Sequence, residues 1–517
     1  MWKIAIIPVV GILVLWAWQF FNWVWVKPRK TEKLFRKQGM KGSSYKFLFG
    51  DTKEAELMYK EAYSKPIGIH DDIAPRIMPN ILHAIKTYGN YSFIWSGPRP
   101  RVFVMDPDVI REVMTKYHTY HKSYKTSNEI AKMVVTGLIN KEGEEWAKAR
   151  MKLNPAFHLE KLKPMVPAIQ VCSQNTLNEW KEMASKGGGS CCFDVYPYLE
   201  VFTSSALARL MFDSTYTEQL KQTFLQLSEL AFMGKLATNP LTLPGEKYFP
   251  TKKNRRAKEI DKYVRASFTS MINQRLEKRK AGVKRANQDL LDLFMQELYE
   301  GENLNDGDRQ RIIDDIIGQC KLFFFAGYET NSNLLTWTMI MLSAHQDWQA
   351  RAREEAVQVL GNKKEITSED LGKLKIATMI LNEMLRLFPS SMEFTRLVEE
   401  ETTLGGYTIP KDTLVTCPIL ILQRSTEIWG KDAGEFNPER FAEGIVKATK
   451  GENVYMPFGW GPRICIAQNF AFLESKTFLA MLLLNFTFEL SPTYVHAPFV
   501  DFTIHPQYGA PIVLKKL

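Results

Sequence analysis

The chain has 517 residues, 45% hydrophobic and 24% charged, a globular composition long enough to bury one large core or a few smaller ones. Its formal charge of +10 suits a negatively charged partner, whether membrane surface, nucleic acid or acidic protein. Six cysteines (Cys172, Cys191, Cys192, Cys320, Cys417 and Cys465), with no CxxC or CxxCH, exclude a disulfide framework, covalent c-type haem attachment and zinc spacing.

Residues 4–26, IAIIPVVGILVLWAWQFFNWVWV, predict a helix of about 34 Å, long enough to cross a bilayer. Trp16, Trp18, Trp23 and Trp25 form an interfacial belt, and Lys27, Arg29, Lys30, Lys33, Arg36 and Lys37 follow at once. The reading is an uncleaved membrane anchor over 1–27, with the bulk of the chain cytoplasmic. A cleaved signal peptide would be shorter and would carry small residues where the tryptophans stand. A basic hinge over 28–50 and one domain over 51–517 follow, without repeats or low-complexity tracts. KGGGS at 186–190 and the basic stretch 277–289 read as surface loops.

From about 105 to 390 apolar residues recur at three and four spacing, as in DPDVIREVMTKY and EEWAKARMKL, predicting a mostly helical body. Strand-like runs at 91–97, 101–106, 405–418 and the C-terminal APIVLKKL are few and peripheral. The fold class expected is mainly α with small peripheral β-sheets.

Within this body, Trp146 and Arg150 lie at i, i+4, as on an amphipathic surface helix. LFFFAGYETN (322–331) sets Gly327, Glu329 and Thr330 inside a helical pattern, where a local break would make room for a small ligand. The alternative is a core helix whose Thr330 bonds its own i−4 carbonyl. Glu383 and Arg386 in EMLRLFP share a helix face, the usual geometry of a weak surface ion pair.

Near the C-terminus, MPFGWGPRICIAQ (456–468) puts Cys465 before a strong helix candidate, whose N-terminal N–H groups lower a thiol pKa. Gly459, Gly461 and Pro462 predict a tight loop that lets backbone approach a flat cofactor. Taken alone, Cys465 fits a buried structural cysteine equally well.

Phe458, Gly461, Arg463 and Cys465 match F-x-x-G-x-R-x-C, and with AGYET, ExxR and PERF the sequence resembles a cytochrome P450, a haem-thiolate monooxygenase, over nearly its whole length. Phrases such as KGSSYKFLFGD, NPAFHLEKLKPM and WGKDAGEFNPERFAEG are similar to the plant clan that includes secologanin synthase and triterpenoid oxidases. The resemblance implies the P450 fold, haem b with Cys465 as axial iron ligand, and haem contacts from Trp146, Arg150, Arg396, Phe458 and Arg463. It implies a proton relay by Glu329 and Thr330, and a buried scaffold of Glu383, Arg386 and Arg440. By family position, substrate contacts fall on 121–136, Phe324, Phe325, Tyr328, Met392 and Glu393 within 391–394, and Phe502 within 501–504.

Departures from the family pattern are Ala467 for a glycine, Asn331 after Thr330, Ala149 beside Arg150, Gln423-Arg424-Ser425 before the WG pair and Ser390 after Pro389. The function expected is hydroxylation or C–C cleavage of a plant terpenoid such as an iridoid, with O2 and electrons from NADPH–cytochrome P450 reductase. A triterpenoid or gibberellin oxidase, an O2-independent isomerase or lyase, and a non-catalytic haem-binding membrane protein are the alternatives. The expected partners are that reductase, membrane lipid and a small hydrophobic substrate, with no nucleic acid, and the expected place is the endoplasmic reticulum membrane, single-pass. Glu393 and Asp501, polar residues of the expected pocket, suggest a substrate bearing hydroxyls or a sugar; the competing reading is that one or both face outward or pair with Arg396.

Overall fold

The computed structural model describes residues 2–122, 129–134, 136–212, 218–236, 251–282, 289–301, 305–361, 363–452 and 454–517. Helices dominate, as the periodicity predicts: DPDVIREVMTKY forms Pro107–Thr115, EEWAKARMKL forms Gly143–Leu153, and KGGGS turns the chain from Val166–Lys186 into the strand Ser190–Asp194. Of the expected basic loop 277–289, residues 277–280 end the helix Lys252–Lys280, and 283–288 lie outside the described residues.

The central element is the helix Asp306–Ala344, started by Asn305, whose side chain accepts from the Asp308 N–H at 2.8 Å. Its second half is buried on nearly all sides, polar residues such as Asn331, Ser332 and Thr336 included, because Tyr196–Phe212, Lys375–Leu387 and Gln468–Asn485 pack around it. The break expected at 327–330 is absent: the helix is continuous, and Thr330 Oγ1 donates to the Ala326 carbonyl at 2.8 Å. Gly327 serves packing instead. A Cβ there would lie 2.7 Å from Leu207 Cδ2, so the glycine lets Tyr196–Phe212 approach closely.

The largest sheet runs in the order 41–42, 91–96, 99–104, 414–417, 394–398, 120–122. Parallel pairing of Arg101–Phe103 with Leu414–Thr416 joins the N-terminal and C-terminal thirds of the chain. The consecutive residues Val102, Phe103 and Val104, and Val415 beside them, are all buried, so both faces of the sheet are covered here. A separate hairpin pairs Pro498–Asp501 with Thr503–Pro506 around Phe502, which sits at φ +59°.

Residues 2–37 are helical in three consecutive segments, Trp2–Phe21, a π-helical turn Asn22–Val26, and Lys27–Lys37. Ile12, Leu13, Val14, Leu15, Trp16 and Trp18 are each more than half exposed. Among the described residues, no helix is long and apolar enough to cross a membrane. The stretch 28–50, expected as a hinge, is docked: Phe35, Met40 and Tyr45 are buried, and Lys41–Gly42 pair with Ser92–Phe93.

Candidate active site

Cys465 projects from a loop held by its own backbone. The Cys465 N–H donates to the Phe458 carbonyl at 2.8 Å, closing the segment that Gly459 (φ +78°) and Gly461 (φ +69°) turn. A Cβ on Gly461 would meet the Met114 carbonyl at 2.9 Å, so here the glycine answers both a conformational and a steric demand. The next helix starts at Gln468 with Ala467 as its N-cap at φ −97°, a conformation open to any residue. The Ala467 N–H donates to the Cys465 sulfur, so the helix N-terminus does reach the thiol. Burial nevertheless pushes the thiol pKa up overall, and the Ala467 N–H, Arg150 and Lys122 pull it back. The lowered thiol expected from the helix end alone is thus corrected by desolvation.

Cys465 opens into a cavity of about 550 Å³. Four cations line one end: Lys122, Arg150, Arg396 and Arg463. Lys122 and Arg396 face each other across paired strands, an arrangement of like charges that destabilises a sheet unless an anion lies between them. Burial, then Arg396 and Arg463, force the Lys122 ammonium down to about 7, against the opposing pull of Glu142. Arg463 pairs with Glu142 and donates to the Lys141 carbonyl at 3.0 Å, and its guanidinium stacks 4.2 Å over Trp146. Arg150 Nε donates to Asn154 Oδ1 at 2.6 Å, and Arg396 Nη1 to the Thr395 carbonyl at 3.2 Å. A thiol at the floor, an excess of buried positive charge at one edge and glycine turns that clear the backbone fit a flat iron cofactor bearing two carboxylates.

The opposite wall is apolar, built by Leu207, Leu210, Phe323, Phe325 and Phe502. Thr330 faces this space, with Ser390 Oγ donating to its carbonyl at 3.3 Å. Glu329 lines the same cavity, but its carboxylate is taken up by the hairpin: Oε1 accepts from Thr503 Oγ1 at 2.9 Å and meets His505 Nε2 at 2.8 Å, and no hydrogen bond joins it to Thr330.

Of the expected substrate contacts, Phe325, Glu393 and Phe502 line the cavity. Tyr328 is buried beside it with its hydroxyl on Ser228, Phe324 packs on Phe224, and Met392 takes the Leu420 N–H on its carbonyl at 2.9 Å; none of the three is a lining residue. Within the expected stretch 121–136, Lys122 and Val134 reach the cavity, while 123–128 and 135 lie outside the described residues. Glu393 pairs with Arg101, which lies beyond the intervening strand 414–417, rather than with Arg396, and takes a hydrogen bond from Thr395 Oγ1 at 3.2 Å. Asp501 stands apart from the cavity wall.

Glu383 and Arg386, expected by spacing alone to be an exposed pair, are fully buried and joined by two 2.8 Å hydrogen bonds. Arg386 also donates to the Gln423 and Ala433 carbonyls, Arg440 lies 3.4 Å from Glu383, and the Asn437 N–H donates to Glu383 at 2.9 Å. Gln423, one of the departures from the family pattern, binds the Leu385 and Arg386 carbonyls and accepts the Met456 N–H, tying this ion-pair helix to the cysteine loop. Desolvation on this scale is tolerated because almost every lone pair and N–H of the pair has a partner.

Sequence reasoning missed Glu142, Glu474 and His505, and covered Lys122 only within the stretch 121–136 expected to touch substrate. Glu474 offered a signal, a carboxylate in the apolar run FLESKTFLAMLLL. His505 offered none, since it meets Glu329 from 176 residues away.

The cytochrome P450 family model matches residues 73–507. The chain is 47% identical to cytochrome P450 CYP72A219 of Panax ginseng, over 98% of this chain and 97% of that one. It is 45% identical to secologanin synthase 2 of Catharanthus roseus, over 98% and 96%, and 46% identical to cytochrome P450 72A397 of Kalopanax septemlobus, over 97% and 96%. The chain belongs to the cytochrome P450 family. It is accordingly an oxidoreductase of the monooxygenase type that binds haem b, takes O2 and a hydrophobic substrate, and receives electrons from a reductase.

Proposed function

Starting from that membership, we propose that the chain hydroxylates, or oxidatively cleaves a C–C bond in, a plant terpenoid such as an iridoid. The observation that carries the reading is a single cavity joining the Cys465 thiol and its cation edge to a phenylalanine-lined wall with the Thr330 hydroxyl upon it. Similarity to secologanin synthase 2 over nearly the whole of both chains supports the terpenoid class.

Bound haem supplies the activation of dioxygen. Cys465 would hold its iron, and Lys122, Arg150, Arg396 and Arg463, with Trp146 and Phe458, would hold its edge and carboxylates. Thr330 and Glu329, which line the same cavity, would handle protons. The apolar wall excludes water and orients a hydrocarbon skeleton. Glu393, with Arg101 and Thr395 behind it, is a fixed polar mark in that wall suited to a substrate hydroxyl or sugar.

The electron donor in this reading is NADPH–cytochrome P450 reductase. The chain is held at the cytoplasmic face of the endoplasmic reticulum by its N-terminal helix, whose exposed apolar residues 12–16 and 18 suit lipid contact. Retention in the pellet after alkaline carbonate extraction, lost on removal of 1–27, is the expected membrane behaviour.

The deciding experiment is product identification from microsomes holding this chain and the reductase, given NADPH, O2 and a panel of iridoids, triterpenoids and gibberellins. Oxygen-dependent oxidation of an iridoid is the expected result; turnover without O2 or NADPH, or of another terpenoid class alone, refutes the reading. Glu393→Ala should impair glycosylated or polyol substrates selectively, and equal turnover of all substrates would remove Glu393 from recognition.

A further inference from the structure

The hairpin 498–506 touches the central helix at two places one turn apart. Phe502 packs edge-on against Phe325 at 4.8 Å between ring centres, and both rings line the cavity. Four residues along the same helix, Glu329 Oε1 receives Thr503 Oγ1 at 2.9 Å, His505 Nε2 at 2.8 Å and Asn333 Nδ2 at 3.5 Å. Residues at i and i+4 share a helix face, so a single β-turn spans the cavity aromatics and the acid. The turn residue is Phe502, in a left-handed conformation that side chains other than glycine adopt at a cost. Thr503 Oγ1 also lies 3.2 Å from His505 Nε2, closing a small network around one carboxylate oxygen.

We propose that His505 is a positioning residue for oxygen reduction: with Thr503 it holds the Glu329 carboxylate against the hairpin, away from Thr330, and a ligand pressing on Phe502 loosens that hold so that Glu329 can serve Thr330. The inference rests on family membership and is independent of which terpenoid is the substrate. The groups facing this network are Tyr196 and Glu200 on the adjoining helix and Asp194 just before it. The Tyr196 ring meets His505 edge-on at 5.2 Å, and its hydroxyl donates to Glu200 at 3.1 Å. Burial, then the Glu329 charge, raises the Glu200 carboxyl to about 7. Glu200 is thus the neighbouring group whose ionisation changes near neutral pH, linked to the acid through Tyr196 and its ring contact with His505.

The test uses the haem-loaded enzyme reconstituted with its reductase, comparing wild type, His505→Ala, His505→Gln, Phe502→Ala and Glu329→Gln. NADPH-driven oxygen reduction and its solvent isotope effect are followed from pH 6 to 8. Affinity for 4-phenylimidazole, the reduced carbon monoxide spectrum and the infrared carboxyl bands perturbed by 4-phenylimidazole are measured alongside. Without substrate, His505→Ala frees Glu329 and is expected to raise the oxygen-reduction rate about tenfold, with azole affinity within twofold. His505→Gln, which keeps a donor toward Glu329 Oε1, should restore most of the hold and return the rate toward that of the wild type. The azole should shift a carboxyl band that is absent in Glu329→Gln, and Phe502→Ala should abolish that shift. An unchanged rate and pH profile in His505→Ala overturns the proposal. So does a parallel loss of rate, azole affinity and carbon monoxide spectrum in both His505 variants, which would make His505 a packing group, or a shift that persists in Phe502→Ala.

Discussion

Glu474 offers the sharpest physical test of the site. It lies on the helix that follows Cys465, is 1% exposed, takes a hydrogen bond from Asn331 on one oxygen and has no partner for Oε1. Burial raises its carboxyl from 4.5 to about 8, with Asn331 pulling the other way, so at pH 7 the folded protein holds it neutral while the unfolded chain ionises it. Between those two values the folded state binds the extra proton, and stability falls as pH rises, levelling off above about 8. The full span is worth about 5 kcal/mol at 1.36 kcal/mol per pH unit. For a chain of this length, with unfolding entropy of about 2 cal/mol/K per residue, that is about 4 to 5 °C in Tm. Glu474→Gln keeps an acceptor for Asn331 and removes the titration. Melting of the haem-loaded protein from pH 4.5 to 8, followed by circular dichroism, should show the variant gaining about 4 to 5 °C on the wild type across the range. Parallel curves would refute the claim that a buried neutral carboxyl faces Asn331.

Glu383→Gln strips the charge partner from Arg386 inside a fully buried cluster and should cost about 3 to 5 kcal/mol, read as a lower urea midpoint at unchanged slope. Gly327→Ala places a methyl 2.7 Å from Leu207 Cδ2, so the Leu207 side chain must move; a loss of about 1 kcal/mol should accompany altered azole affinity, because Leu207 lines the cavity. Ala467→Gly should leave the carbon monoxide spectrum intact and change Tm by about 1 °C or less, because φ −97° needs no glycine and the hydrogen bond to Cys465 comes from the backbone. Cys465→Ala should abolish the thiolate-type carbon monoxide band while far-ultraviolet circular dichroism persists; survival of that band would remove Cys465 as the ligand.

What the sequence determined by itself is local or contiguous. Helical periodicity located Pro107–Thr115 and Gly143–Leu153 because a face buried every 3.6 residues leaves a one-dimensional trace. The cysteine loop was legible because glycines, Arg463 and Cys465 crowd into eight residues, 458–465, whose geometry is set by the backbone itself. Tertiary structure decided everything that depends on which side chain meets which. Spacing alone made Glu383 and Arg386 a surface pair, and only the packing of Gln423, Ala433 and Asn437 around them turned the pair into a buried anchor. Gly327 and Thr330 suggested a broken helix, yet the close approach of Leu207 and a back-bond to Ala326 keep it whole. Lys122 facing Arg396, Glu393 choosing Arg101 and His505 holding Glu329 join residues 176 to 292 positions apart wherever a charge or proton is managed. Electrostatic pairing depends on distance and desolvation in space, and neither leaves a periodic trace along the chain.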